Sequence, residues 1–106
     1  MTVLILKSGD NKRPLDDTLT IGGEPVDLTD ATVLFLMKNQ ADTTEFSASA
    51  TIVSAAAGTV RYERGVTFPT TISKWRQNWQ VTFLDGKIET FPQGKYNEIR
   101  IIDDLN

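Results

Sequence analysis

Carboxylates are the side chains in this chain best suited to acid–base or metal chemistry. Asp16-Asp17, Asp27, Asp30, Asp103 and Asp104 form the clusters. Cysteine and histidine are both absent. That removes thiol nucleophiles, disulfides, zinc–thiolate sites and the usual neutral-pH base together. A carboxylate hydrolase needs two acids that converge, one with its pKa raised by burial. These acids stand in turns or tails, where solvent keeps them ordinary, so no catalytic residue is assigned and the chain is not read as an enzyme. Asp27 and Asp30 have the oxygen chemistry of calcium ligands. Calcium wants about six or more oxygens and a recognisable loop, and no EF-hand spacing is present. Asp27, Thr29 and Asp30 are read instead as caps of nearby backbone N–H groups through Asx- and ST-type turns. No metal and no cofactor is expected.

Two other residue types could bind. Trp75, Trp79, Phe83 and Phe91 would suit a sugar platform if they faced outward. Lys12-Arg13 and the Lys74/Arg76 pair could meet an acidic partner, although isolated basic pairs are more often solvated charge. Which reading holds depends on the elements that carry them.

Trp75 to Pro92 organises the rest. Trp75, Gln77, Trp79, Val81 and Phe83 alternate with Arg76, Asn78, Gln80 and Thr82, a period of two that marks a strand with one buried face. Asp85-Gly86 follows, then Lys87 to Phe91. That order is a hairpin signal and predicts a type I′ turn, with positive φ at both central residues. The aromatics therefore fall inward, and core packing is favoured over a platform.

Other strands are expected at Val3–Lys7, Leu15–Ile21, Thr59–Arg64 and Lys95–Ile102, with one or two pieces in Phe46–Val53. In the second of these Asp17 is the one inward charge, which suits an edge. Gly22-Gly23-Glu24-Pro25 and Ser54 to Gly58 read as turns. Thr32–Lys38 is apolar on both faces: Val33, Phe35 and Met37 on one, Leu34 and Leu36 on the other. Its second face is read as covered by a loop of the chain or, alternatively, by another subunit. About eight short strands with regular turn signals predict an all-β antiparallel sandwich. The loops to watch for contacts are Ser8–Arg13 and Gly65–Ser73, the latter an irregular crossing that holds Phe68. The candidate interface residues are Leu34, Leu36, Lys12, Arg13 and Phe68.

With 106 residues the chain makes one domain, residues 1–106. Net charge is −3, from 11 basic and 14 acidic residues, which argues against nucleic acid. No apolar run reaches the roughly 20 residues of a membrane helix. The first residues lack the basic start and small-residue cleavage site of a signal peptide. Synthesis and folding in a cytoplasm are expected.

Several stretches together resemble a known family. They are Asp10-Asn11-Lys12-Arg13-Pro14-Leu15, Thr18-Leu19, Pro25 to Val33, Ala55 to Tyr62, Trp79 to Phe83, Asp85-Gly86 and Glu89-Thr90-Phe91-Pro92. In order and spacing the chain resembles the N-terminal domain of the phage upper baseplate protein family. The resemblance implies an immunoglobulin-like β-sandwich of about seven to eight strands. It implies a bacteriophage virion structural protein that works by protein–protein docking, with no catalytic residues. Baseplate members continue into a helical or fibre region, whereas this sequence stops at Asn106. It is therefore expected to be an adaptor, a head-decoration subunit or a minor tail component. Its partners would be other phage structural proteins of tail, baseplate or capsid, and further copies of itself in the particle. It would be made in the host cytoplasm and reside in the virion. The alternative is a carbohydrate-binding or host-surface-binding module on the virion, and the inward aromatics weigh against it.

Overall fold

The computed structural model describes residues 3–9, 12–92 and 96–103. Asp10, Asn11, Asp104 and the Gln93-Gly94 turn lie outside the described residues. Every regular element is a strand: β1 (Val3–Lys7), β2 (Leu15–Thr18), β3 (Thr20–Ile21), β4 (Glu24–Pro25), β5 (Thr32–Asn39), β6 (Glu45–Ser54), β7 (Thr59–Tyr62), β8 (Ser73–Thr82), β9 (Ile88–Phe91) and β10 (Asn97–Ile102). All but β3 and β4 join one sheet in the order β1-β10-β8-β5-β6-β7-β2, with β9 beside β8. The sheet curls as a half-barrel around the core.

The curl comes from β6. Its first part pairs with β5, Phe46 opposite Met37 and Ala50 opposite Val33. Its last residues pair with β7 instead, with a register shift between Ile52 and Ser54. Ser and Ala alternate through Ser47–Ala50. Small side chains leave room to bend, and a bulge adds local twist, so one strand pairs with β5 at its start and with β7 at its end. The sequence suggests one or two pieces here; the chain makes a single ten-residue strand.

Alternation fills the interior. β5 buries Val33, Phe35, Met37 and Asn39, and β8 buries Trp75, Gln77, Trp79 and Val81. Phe35 stacks on Tyr62 with ring centroids 4.4 Å apart and meets Trp79 edge-on at 5.3 Å. Such pairs add to area burial because the ring edge is positive and the face negative. Buried Asn39 is satisfied locally: its side-chain oxygen accepts from Ala41 N at 2.8 Å and Ser73 Oγ at 2.9 Å.

Asp17 links the β2 edge to β8 and β10. It sits on β2, the edge strand, as its inward charge suggests. Its carboxylate accepts the Trp79 Nε1–H at 3.0 Å and the Asn97 amide at 3.3 Å. Replacing it with alanine leaves the indole N–H without that acceptor inside the fold. Asp17→Ala should cost about 1–3 kcal/mol in urea unfolding. Asp17→Asn keeps an oxygen there and should cost less; equal losses would contradict the account.

Three local expectations change. β1 pairs with β10 in parallel, Val3 beside Glu98 and Lys7 beside Ile102, so the sheet is not wholly antiparallel. Leu15–Ile21 is not one strand: after Leu19 the chain leaves the sheet as the β3–β4 hairpin, and Ile21 is exposed. Positive φ at both central residues occurs there, at Gly22 and Gly23. At Asp85-Gly86 only Gly86 has positive φ, and Phe83 N donates to Lys87 O at 2.8 Å. The loop is therefore three residues closed by a left-handed glycine, the other common hairpin turn.

Candidate docking surface

β5 lies at the middle of the sheet, so its outward residues define the centre of the outer face. Leu34 stands between Ser49 of β6 and Gln80 of β8. Leu36 stands between Ser47 and Asn78. Among the described residues no loop closes over Leu34, which keeps 38 % of its surface exposed; Leu36 is half-buried. The covering loop expected from sequence is thus not formed over Leu34. Apolar side chains on a pleated outer face lose solvent only if something else packs there.

Charged residues stand at both ends of this face. At one end Lys38 is paired in register with Arg76, with Glu45 and Glu98 on the flanking strands. Arg100 pairs with Glu98. The Arg76 guanidinium lies over the Tyr96 ring, 4.8 Å from its centroid. Lys38 and Arg76 repel across the strands, and each has an acidic neighbour in register on its other side, Glu45 beside Lys38 and Glu98 beside Arg76. A shallow groove of about 620 Å³ runs here, with Leu36, Lys38, Glu45 and Arg76 in its lining. At the opposite end, beyond Thr32 and Thr82, lie exposed Asp30 and Asp85, with Lys87 nearby. The face is apolar at its centre, with Lys38 and Arg76 among Glu45 and Glu98 at one end and Asp30 and Asp85 near Lys87 beyond the other.

The remaining candidates do not converge on it. Lys12 and Arg13 are exposed between β1 and β2. The Arg64 side chain fixes that segment by donating to Arg13 O at 2.9 Å. Phe68, expected on a contact loop, is 7 % exposed and packs on Phe46 and Tyr62. Its ring is core, because the crossing from β7 to β8 must cover the open end of the interior.

The carboxylates serve local structure. Asp27 accepts Thr29 Oγ1 at 2.6 Å and Thr29 N at 3.0 Å, the expected Asx turn, and these bonds hold its carboxyl below the usual range. Asp16 is held low by two hydrogen bonds from Arg61, at 2.8 and 3.0 Å. A lowered carboxyl favours the folded chain above the ordinary carboxylate pKa and loses that effect as pH falls through its own value. Adjacent Asp16 and Asp17 point to opposite faces of β2, so they do not form an acid pair. Among the described residues no three acids gather in a geometry for a metal ion.

Trp75 and Trp79 are 1 % and 2 % exposed, and Phe91 is equally shut in. They offer no aromatic platform. Acrylamide should quench the tryptophan emission only weakly in the folded protein and strongly in urea; strong quenching without urea would contradict the burial. Among known proteins, no family model matches this chain and no curated protein is similar to it.

Proposed function

We propose that the protein is a bacteriophage virion structural subunit, an immunoglobulin-like β-sandwich that acts by docking through its outer sheet face. The subunit belongs to the tail, the baseplate or the head surface, and it is made in the host cytoplasm. The observation that carries the docking is the apolar centre of the outer face, where Leu34 is exposed and Leu36 half-buried. The phage assignment rests on the resemblance of the sequence segments to upper baseplate N-terminal domains.

The pairing order supports the immunoglobulin-like reading. In such sandwiches strands B, E and D pair in one layer and C′, C, F and G in the other. Here β2, β7 and the end of β6 take the places of B, E and D. The start of β6, then β5, β8 and β10 take those of C′, C, F and G. The differences are a continuous β6 in place of two strands and an inserted β9.

The occupant that fits the outer face is the same face of a second copy, strands antiparallel. A two-fold axis then sets Leu34 and Leu36 of both copies together at the centre. It also brings the Lys38–Arg76 end of each over the Asp30–Asp85 end of the other. Charges so arranged fix orientation more than they add affinity, while the desolvated apolar centre supplies the attraction. The many copies in a particle let modest contacts add by avidity. Hydroxyl-radical footprinting over a concentration series tests the face. Oxidation of Leu34 and Leu36 should fall as association proceeds, and that of exposed Val66 should not. Uniform reactivity at all concentrations would refute the docking face.

A further inference from the structure

A second surface is built for a partner, at the edge of the sheet. β1 ends the strand order, and among the described residues no strand lies beyond it. Ser8 N donates to Ile102 O at 2.8 Å. In a parallel ladder the residues that turn their backbone groups toward the neighbour alternate. Leu4, Leu6 and Ser8 therefore face β10, and Val3, Ile5 and Lys7 direct their N–H and C=O groups outward. An open edge of this kind is a template for another strand, and proteins commonly blunt it with charge, proline or a bulge. The far edge, β2, is blunted by inward Asp17 and by Asp16 tied to Arg61. β1 carries no such device before Lys7. It reads Val-Leu-Ile-Leu-Lys, and Ile5 is 58 % exposed.

We propose that β1 pairs antiparallel with β1 of a second copy about a two-fold axis at Ile5. This register is the one in which every outward-facing residue meets another. Ile5 faces Ile5 of the second copy, and Val3 faces Lys7 at both ends, so the unpaired backbone groups satisfy one another. Charge agrees with it. Val3 lies beside Glu98 within its own sheet, so each Lys7 reaches across a valine toward a carboxylate of the other copy that Arg100 also holds. Ile5 and Val3 of both copies then form an apolar patch at the seam, with Arg100 beside each Ile5. The contact uses none of the Leu34–Leu36 face and stands or falls without it.

The chain has no cysteine, so a single introduced thiol reads the register. Cα atoms of a hydrogen-bonded antiparallel pair are about 5.5 Å apart, within disulfide range. Under mild oxidation Ile5→Cys should form a disulfide dimer at least about tenfold faster than Val66→Cys, whose site is 95 % exposed. Ile5→Pro removes an outward N–H and no bond to β10, a position where an edge strand tolerates proline. In a Leu34→Lys/Leu36→Lys background, which removes the face contact, the protein should remain a dimer. Adding Ile5→Pro or Ile5→Lys should bring it to the monomer mass with tryptophan emission unchanged. Equal cross-linking at positions 5 and 66 would overturn the proposal, as would a monomer in the Leu34→Lys/Leu36→Lys background. If Ile5→Pro disturbs folding, Ile5→Lys and the cross-linking rate still decide. A wild type that loses mass on Leu34→Lys/Leu36→Lys but shows no position-5 cross-link would retain the face and reject the edge.

Discussion

Gly58→Ala should be the most damaging glycine-to-alanine change among the described residues, costing about 3–5 kcal/mol. Two effects add. Gly58 has φ +69°, a conformation that costs a residue with a Cβ roughly 1–2 kcal/mol. The added Cβ would also lie 2.7 Å from Leu19 O, 3.0 Å from Val26 O and 3.1 Å from Val26 N. All three are backbone atoms, so no side chain can swing aside. Relief requires moving the segment where Leu19 N donates to Gly58 O at 2.8 Å and Val26 N donates to Leu19 O at 2.9 Å. That segment seats Leu19 and Val26 in the core. Gly86→Ala is the control: φ is +85°, yet nothing lies within 4 Å of the new Cβ. It should show the conformational cost alone. Urea unfolding of both variants checks this, and similar losses would mean the close approach at Gly58 is not limiting.

The contrast shows where a sequence is readable and where it is not. Ala55-Ala56-Ala57-Gly58 signals a turn, and a turn is formed. The pressure on Gly58 comes from Leu19 and Val26, far away in the chain, so no local pattern encodes it. The period of two in β5 and β8 was legible because one face of each strand is buried, and the inward Asp17 correctly marked an edge. Strand direction was not legible. Val3–Lys7 reads as a strand whether it runs parallel or antiparallel, and only the fold sets it beside β10. The turn at Asp85-Gly86 was mistaken by one residue, because pairing of Phe83 with Lys87 decides the loop length. Phe68 looked like a surface aromatic because loops usually run outside, but this crossing caps the core. For the outer face, the sequence raised Leu34 and Leu36 and could not say what covers them. The placing of Lys38 and Arg76 at one end and of Asp30 and Asp85 beyond the other needed the register.

Lysine at both Leu34 and Leu36 should have the largest effect on assembly. Two ammonium groups would enter the centre of the proposed face contact, beside the same groups of the second copy. Burying unpaired like charges is prohibitive, so that contact should be lost rather than weakened. The fold should survive, because both side chains point away from the interior and a lysine stem tolerates an exposed strand. The weak quenching of Trp75 and Trp79 reports whether it does.

Light scattering over a concentration series, on the wild type and on Leu34→Lys/Leu36→Lys, tests most directly whether the protein works through its outer face. The wild type should rise well above the monomer mass, and the variant should reach a smaller, folded species at every concentration. A wild type that stays a monomer throughout, or a variant that keeps the wild-type mass, would contradict that claim.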